Sequence, residues 1–445
     1  MHVSVFLMCA FLSAAAAPSD VDEGLLRVNL TQAVRQAVAR HPDVEKARAA
    51  ADLLKGKIRE VKAQAYPEIN LVSDALRMRD PSLLNASGIE NFPAELRNAL
   101  IPKGVNLFDY SVTVKQPLYT AGKVGTALRL ASVEAESSLS EIDRAEQDLA
   151  LEVTKAFYDA LWAREYEKLV IETQRQKVDH AAMARTRFEN GVATEVDVLR
   201  SEVAVANGKP DLVRAGNAIR QSRAQLNYLL VRPIDAPLEL EGELSQRPVD
   251  EADFATLAAE AIRRRPEMHS LRIAERGAAV RLDLAKAESR MRADFAGGYG
   301  IMSRMVGNLA DREYAKWNMA VTFTLPLFDG FRRSGLVYQA TAAQRQARLD
   351  REKLEQQVKL GLKQAVDEVN AAAATLAAAQ ATVGQAERVL SMMQNNYKWG
   401  AATTLDIVDA QTALSVARTN VLRGLHDHAV ARANLRWILG RTPQE

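Results

Sequence analysis

Two periodicities alternate along this chain, and each occurs twice. After Gly122 no proline and almost no glycine interrupts the sequence until Asn190-Gly191, and after Gly330 the same holds from about Arg333 to Trp399-Gly400. Such runs predict single helices, and about 65 residues rising ~1.5 Å each make a rod of roughly 100 Å. The later rod carries apolar residues at three- and four-residue spacing through Leu362, Ala365, Val369, Ala372, Leu376, Ala379, Val383, Ala386, Leu390, Met393 and Tyr397. That is a coiled-coil seam, in which alanines alternating with larger residues let helix axes approach closely.

Each rod is expected to end in a turn and a return helix. Gly191 and Gly400 fit C-caps that need positive φ, and Thr194 and Thr403 fit the N-caps that follow. Pro210 is expected to kink or break the first return helix, whereas Thr419 stands at the matching place in the second. Ahead of the first rod, helices are expected over Leu30–Ala39, ending at His41-Pro42, and over Asp43–Gln64, stopping near Pro67.

The other periodicity is two. In Leu107–Gln116, Phe108, Tyr110, Val112 and Val114 fall on one face, with Asp109, Ser111, Thr113 and Lys115 on the other. The later counterpart sets Trp317, Met319, Val321, Phe323 and Leu325 against Asn318, Ala320, Thr322 and Thr324. Glu68–Ala75 and Asp294–Met302 predict weaker partner strands.

The recurrence follows one offset of 209 residues: Gln116-Pro117-Leu118-Tyr119 matches Leu325-Pro326-Leu327-Phe328, and Gly191-Val192-Ala193-Thr194 matches Gly400-Ala401-Ala402-Thr403. Val196-Asp197-Val198 matches Leu405-Asp406-Ile407 in the same way. Upstream the offset is larger, so an inter-strand loop is longer in the first half. A duplicated chain follows. Residues 17–240 form the first repeat, with strands at about 66–76 and 105–117 and a hairpin tip at about 188–196. Residues 241–445 form the second, with strands at about 292–302 and 315–328 and a tip at about 397–405.

Composition narrows the class. The 445 residues carry 58 Lys+Arg against 56 Asp+Glu, a net charge of +2, without the basic excess of a nucleic-acid binder. An apolar run from Val3 to Leu12, then Ala14–Ala17 and Pro18-Ser19-Asp20, predicts a secretory leader of residues 1–16, although Met1-His2 supplies no basic n-region. The sole cysteine, Cys9, lies within it, so the mature chain is expected to carry no disulfide. No other stretch approaches ~18 uncharged apolar residues, so no transmembrane helix is expected.

An exported helical chain with strands apolar on one face and polar on the other has the pattern of a membrane barrel. Four strands cannot close one, since about eight is the minimum in single-chain bacterial examples. Open edges are not tolerated in lipid. Copies must pool their strands, and three copies supply twelve strands and twelve helical passes. The alternative is a soluble sheet edge packed against helices.

The duplicated halves, the Pro-Leu-aromatic junctions and the tips Arg187-Phe188-Glu189-Asn190-Gly191-Val192-Ala193-Thr194 and Asn396-Tyr397-Lys398-Trp399-Gly400-Ala401-Ala402-Thr403 resemble the TolC-like outer-membrane efflux family over about Leu25 to Pro443. The resemblance implies a mainly α fold with a membrane β-barrel part, trimerising into a 12-stranded β-barrel continuous with a 12-helix α-barrel. It implies an outer-membrane exit duct reaching into the periplasm of a Gram-negative-type cell, docked on a periplasmic adaptor and an inner-membrane transporter that supplies the energy. It also implies gate residues. Asp406 and Asp409, three apart on a helix, would ring the pore as six carboxylates and raise one another's pKa values. Tyr397 would latch to Asp197 by a hydrogen bond. An arginine that the family's latch uses falls at Ala402 here. The tips Arg187, Asn190, Gly191, Thr194, Asn396, Gly400 and Thr403 would meet the adaptor. The plain alternative for Asp406 and Asp409 is a pair of solvated acids after an N-cap.

Little else suggests chemistry. His426 and His428 are two apart, not the i, i+4 pair of a metal site, and His41 and His269 lie near proline breaks as helix-end partners. Gly297-Gly298-Tyr299-Gly300 sits in a strand, where small residues relieve crowding. No phosphate loop, nucleophile elbow or zinc spacing appears, so neither catalytic residues nor a cofactor or metal is expected. The rival function is an exported coiled-coil scaffold or periplasmic spacer. Drugs, metal ions, dyes and polypeptides are all open as cargo.

Overall fold

The structure is a computed structural model that describes residues 25–78, 92–99, 104–247 and 253–442. The expected leader, residues 1–16, and most of the loop between Arg77 and Gly104 lie outside the described residues. Among the described residues no helix is long and apolar enough to cross a membrane.

The chain forms two compact units, each drawn from both halves of the sequence. One gathers the described residues within 1–46, 142–265 and 356–445, and the other those within 47–141 and 266–355.

In the first unit, β1 (Leu26–Val28) pairs in parallel with β4 (Leu238–Leu240). Helix α1 (Leu30–Arg40) starts at Asn29, whose side chain accepts from Gln32 N while the Gln32 amide accepts from Asn29 N, a reciprocal capping box. It ends at His41, held extended by the following proline, and α2 (Pro42–Ala63) begins there. The buried stripe Ala33, Val34 and Ala37 packs with Val153, Phe157 and Leu161 of α4 (Lys123–Glu189) and with Leu226 and Leu229 of α5 (Glu195–Leu229). Buried Asn227 donates its amide to Ile234 O and Ala236 O, at 3.0 and 2.8 Å, and so pins the turn that leads into β4.

Helix α5 runs unbroken through Pro210, so of the kink or break that the sequence allows, the break does not occur. Gln174 of α4 lies against the bare backbone of Gly208, where a Cβ would overlap its amide, and donates to Val205 O at 3.0 Å. That bond satisfies a carbonyl in the turn that the proline ring loosens.

The second half follows the same order. Helices α6 (Phe254–Arg264) and α7 (Pro266–Ala287) again meet at an extended residue before proline, Arg265. Helices α8 (Arg332–Lys398) and α9 (Thr404–Ile438) match α4 and α5 in length, at 67 and 35 residues. Each starts 209 residues after its counterpart, whereas α6 and α7 start 224 after α1 and α2. The 15-residue surplus lies between the strands. Met78 and Val105 are separated by 26 residues, which include the short helix α3 (Ala94–Ala99), while Ser303 and Ala315 are separated by 11.

The second unit holds an antiparallel sheet in the order β2 (Glu68–Met78), β3 (Val105–Tyr119), β5 (Arg292–Ser303), β6 (Ala315–Thr324). Pairing aligns Leu71, Val112, Tyr299 and Trp317 in one row and Ile69, Val114, Gly297 and Met319 in the next, all on one face. That face is bare: Leu71 is 78% exposed, Tyr299 61% and Trp317 71%. The opposite face carries the rows Val72, Ser111, Gly300, Lys316 and Asn70, Thr113, Gly298, Asn318. Gly300 has no room for a side chain, because a Cβ would overlap Tyr110 O and Ser111. Strand β6 stops at Thr324 rather than running to 328, because Pro326 cannot donate to a ladder. Strand β3 passes Pro117 with a register shift. His269 is not a helix-end partner; its Nδ1 meets Ser140 Oγ at 2.8 Å, joining α7 to α4.

Candidate functional site: the paired hairpin tips

Both hairpin tips lie in the first unit and are built alike. Helix α4 closes with Gly191 N bonded to Phe188 O and Val192 N bonded to Arg187 O, and Gly191 takes φ 72°. Helix α8 closes with Gly400 N on Tyr397 O and Ala401 N on Asn396 O, and Gly400 takes φ 74°. Each is a Schellman turn whose left-handed residue must lack a Cβ to avoid strain. Asn190 adds a side-chain bond to Thr186 O at 2.8 Å.

The return helices start with matching capping boxes. Thr194 donates N and Oγ1 to Asp197 Oδ2, and Thr403 donates N and Oγ1 to Asp406 Oδ2, the latter pair both at 2.7 Å. The Asp406 carboxyl is therefore held below its ordinary value, first by the Thr403 backbone N–H and then by its hydroxyl. Asp409 is exposed one turn further on.

Tyr397 is buried, but its hydroxyl partner is Thr404 Oγ1, at 3.3 Å, and not Asp197. Asp197 is reached indirectly: its carboxyl is lowered chiefly by the Thr194 hydroxyl, with the Thr404 hydroxyl contributing. Thr404 thus stands between the two residues that the sequence reading joins directly. It is fully buried although it follows the N-cap, and a Thr-Thr pair at a helix start is its only trace in the sequence. The ring of Tyr397 packs with Leu390, Ile407, Ala410 and Leu414, and Ala402 packs against the same cluster.

Arg187 is turned inward. Its Nη1 donates to Tyr397 O at 3.0 Å, and its guanidinium lies 4.5 Å from the Tyr397 ring centroid. His180, absent from the sequence-derived set, stands edge-on to the same ring with centroids 5.5 Å apart. Burial pushes the His180 imidazole below its ordinary value, and its Nε2 has no protein partner. Further along, Arg418 of α9 bonds Glu172 of α4 and Glu387 of α8, both at 3.0 Å, a second link between the hairpins. Asn396, Gly400 and Thr403 remain at the exposed tip beside Trp399, which is 88% exposed and is the largest apolar side chain there. Among the described residues no cluster of His, Cys, Asp and Glu could hold a metal ion.

A family model described as outer membrane efflux protein matches residues 33–230 and 257–441. The chain is 22% identical to outer membrane protein TolC of Vibrio cholerae over 99% of its own length and 96% of that protein's. It is 24% identical to the alkaline protease secretion protein AprF of Pseudomonas aeruginosa, over 75% of this chain and 67% of AprF. Among solved structures it resembles the outer membrane protein VceC of Vibrio cholerae with a TM-score of 0.73, at 18% identity, covering 93% of this chain and 96% of that one.

Proposed function

The chain belongs to the outer membrane efflux protein family, and from that premise we propose that it is a trimeric exit duct of the outer membrane. The observation that carries this reading is the sheet. Its four strands turn a bare apolar face outward, and among the described residues the outer edges of β2 and β6 are left unpaired. In lipid, unpaired edges cost several kcal/mol per unsatisfied group, of order. In the order β2-β3-β5-β6, the next copy's β2 runs antiparallel to β6, so three chains close a ring of twelve strands. A spacer has no use for such a face.

The two repeats, residues 17–240 and 241–445, then each contribute one helical hairpin, and six hairpins make a twelve-helix conduit continuous with the barrel. The tips face the periplasm. Asn190, Gly191, Thr194, Asn396, Gly400 and Thr403 present the surface for a periplasmic adaptor, which couples the duct to an inner-membrane transporter. Asp197, Tyr397, Asp406 and Asp409 border the constriction. Export of small molecules or polypeptides through this duct involves no covalent chemistry by the chain.

The test is extraction of the outer membrane in detergent, mass determination of the purified complex, and conductance in a planar bilayer. Three chains with discrete conductance steps are expected. A water-soluble monomer or dimer with no conductance would remove the channel.

A further inference from the structure

Arg187 is a half-buried tip side chain that neither capping nor apolar packing accounts for. It lies two residues before the end of α4, where an arginine ordinarily serves its own helix's carbonyls or solvent. Here it crosses to the other hairpin, to Tyr397 O and the Tyr397 ring, and its Nε is buried without a protein partner. Tyr397 O sits in the last turn of α8, at the negative end of that helix. It already accepts Gly400 N, at 3.1 Å. Removing the guanidinium therefore leaves no orphaned carbonyl, and what is lost is a link between hairpins.

The link is also one-sided. His180, seven residues before Arg187 and so on the same side of α4, meets the same ring. At the repeat offset of 209, Arg187 corresponds to Asn396 and His180 to Val389, so α8 has no matching residues to send back toward α4. The first hairpin holds the second by its aromatic ring and terminal carbonyl, through a planar fork that a point charge cannot reproduce.

We propose that Arg187 is a positioning residue of the tip, whose guanidinium tethers the second hairpin to the first within one chain and so sets how readily the periplasmic mouth opens. The tether is read from the chain itself, and its effect on opening rests on the channel reading above.

The test compares the wild-type complex with R187M, which keeps an apolar stem, and R187K, which keeps the charge. Two readouts are taken on the detergent-extracted full chain: amide hydrogen exchange over residues 186–198 and 396–406, and conductance in planar bilayers. Tip exchange about tenfold faster in R187M, an intermediate rate in R187K, and a raised conductance at unchanged trimer mass and unfolding temperature are expected. R187M with wild-type exchange and wild-type conductance overturns the proposal. Faster exchange with unchanged conductance overturns its gating part. A wild-type complex that conducts nothing sinks the channel reading, and the exchange rates alone then decide the tether. Should R187M not assemble, R187K decides: faster tip exchange supports the fork contact, and wild-type exchange overturns it.

Discussion

Lys316 of β6 and Asp109 of β3 form an ion pair across the strand that separates them, over the bare backbone of Gly300. Lys316 is aligned with Gly300 and Asp109 with Met302, so the two side chains reach over β5 on the polar face of the sheet. Gly300 lets β3 approach closely, since a Cβ there would overlap Tyr110 O and Ser111.

Replacing Gly300 by valine is therefore expected to damage the sheet more than replacing Gly297, whose Cβ would first meet the Phe295 ring at 3.1 Å, a side chain that can shift. Overpacking against the β3 backbone costs about 1–3 kcal/mol. The measurement is the thermal dissociation temperature of the extracted complex, with a clear drop for G300V and a small one for G297A.

The bare face sets a second expectation. Trp317 and Asn318 are neighbours in β6 that point to opposite faces. W317R puts a charge where lipid is proposed, at a cost of about 2–4 kcal/mol near the bilayer midplane, whereas N318R is tolerated inside a barrel. Immunoblots of outer-membrane fractions should show W317R depleted and N318R near wild-type abundance. Equal abundance would argue that the face does not meet lipid.

At the second tip, D406A and D409A together are expected to weaken cation block in single-channel recordings. Unchanged block would leave both residues as solvated acids. Acid should act on the same turn. Because Thr403 holds the Asp406 carboxyl below its ordinary value, the bonus is fully present above about pH 3.8 and is lost as pH falls through the lowered value. Protection of the tip amides, corrected for the intrinsic exchange rate at each pH, should therefore fall on acidification across that range, and less so in D406N, which keeps an acceptor but no titrating group.

His180 titrates in the other direction of charge. Burial disfavours its imidazolium, so the stability it allows is present above its ordinary pKa of 6.5 and declines as pH falls from there toward the folded value. A proton on His180 would also place a second cation beside the Tyr397 ring, which already carries Arg187. After division by the intrinsic exchange rate at each pH, the tip peptides are expected to be less protected at pH 5.5 than at pH 7.5 in the wild type, and with a reduced difference in H180F. An identical pH response in H180F would assign the effect to the carboxylates.

Much of this architecture was legible in the sequence because it is periodic. Trp317, Met319, Val321 and Phe323 alternate over a full strand, and the heptads from Leu362 to Tyr397 run uninterrupted, so local spacing alone places them. The caps at Thr194 and Thr403 were legible because capping is a short-range bond with a fixed residue preference. What was not legible depends on which surfaces meet. Tyr397 chooses Thr404 over Asp197, and Arg187 turns toward Tyr397 instead of solvent; neither preference follows from spacing within one helix. Pro210 reads as a breaker until Gln174, 36 residues earlier, is known to lie beside it. The paired strands β1 and β4 are three residues each, too short for any period to register.

That smallest sheet has a consequence for the order in which the molecule is made. Leu26 pairs with Leu238, and Val28 O goes on to accept Glu241 N, so the start of the described chain is bonded to a segment 212 residues later. Leu238 and Leu240 also complete the core that α1, α4 and α5 share. A parallel pairing of such long separation cannot form from local contacts. During synthesis and export the first strand therefore waits without its partner until more than half of the chain has emerged, and the folding clock of this unit starts late.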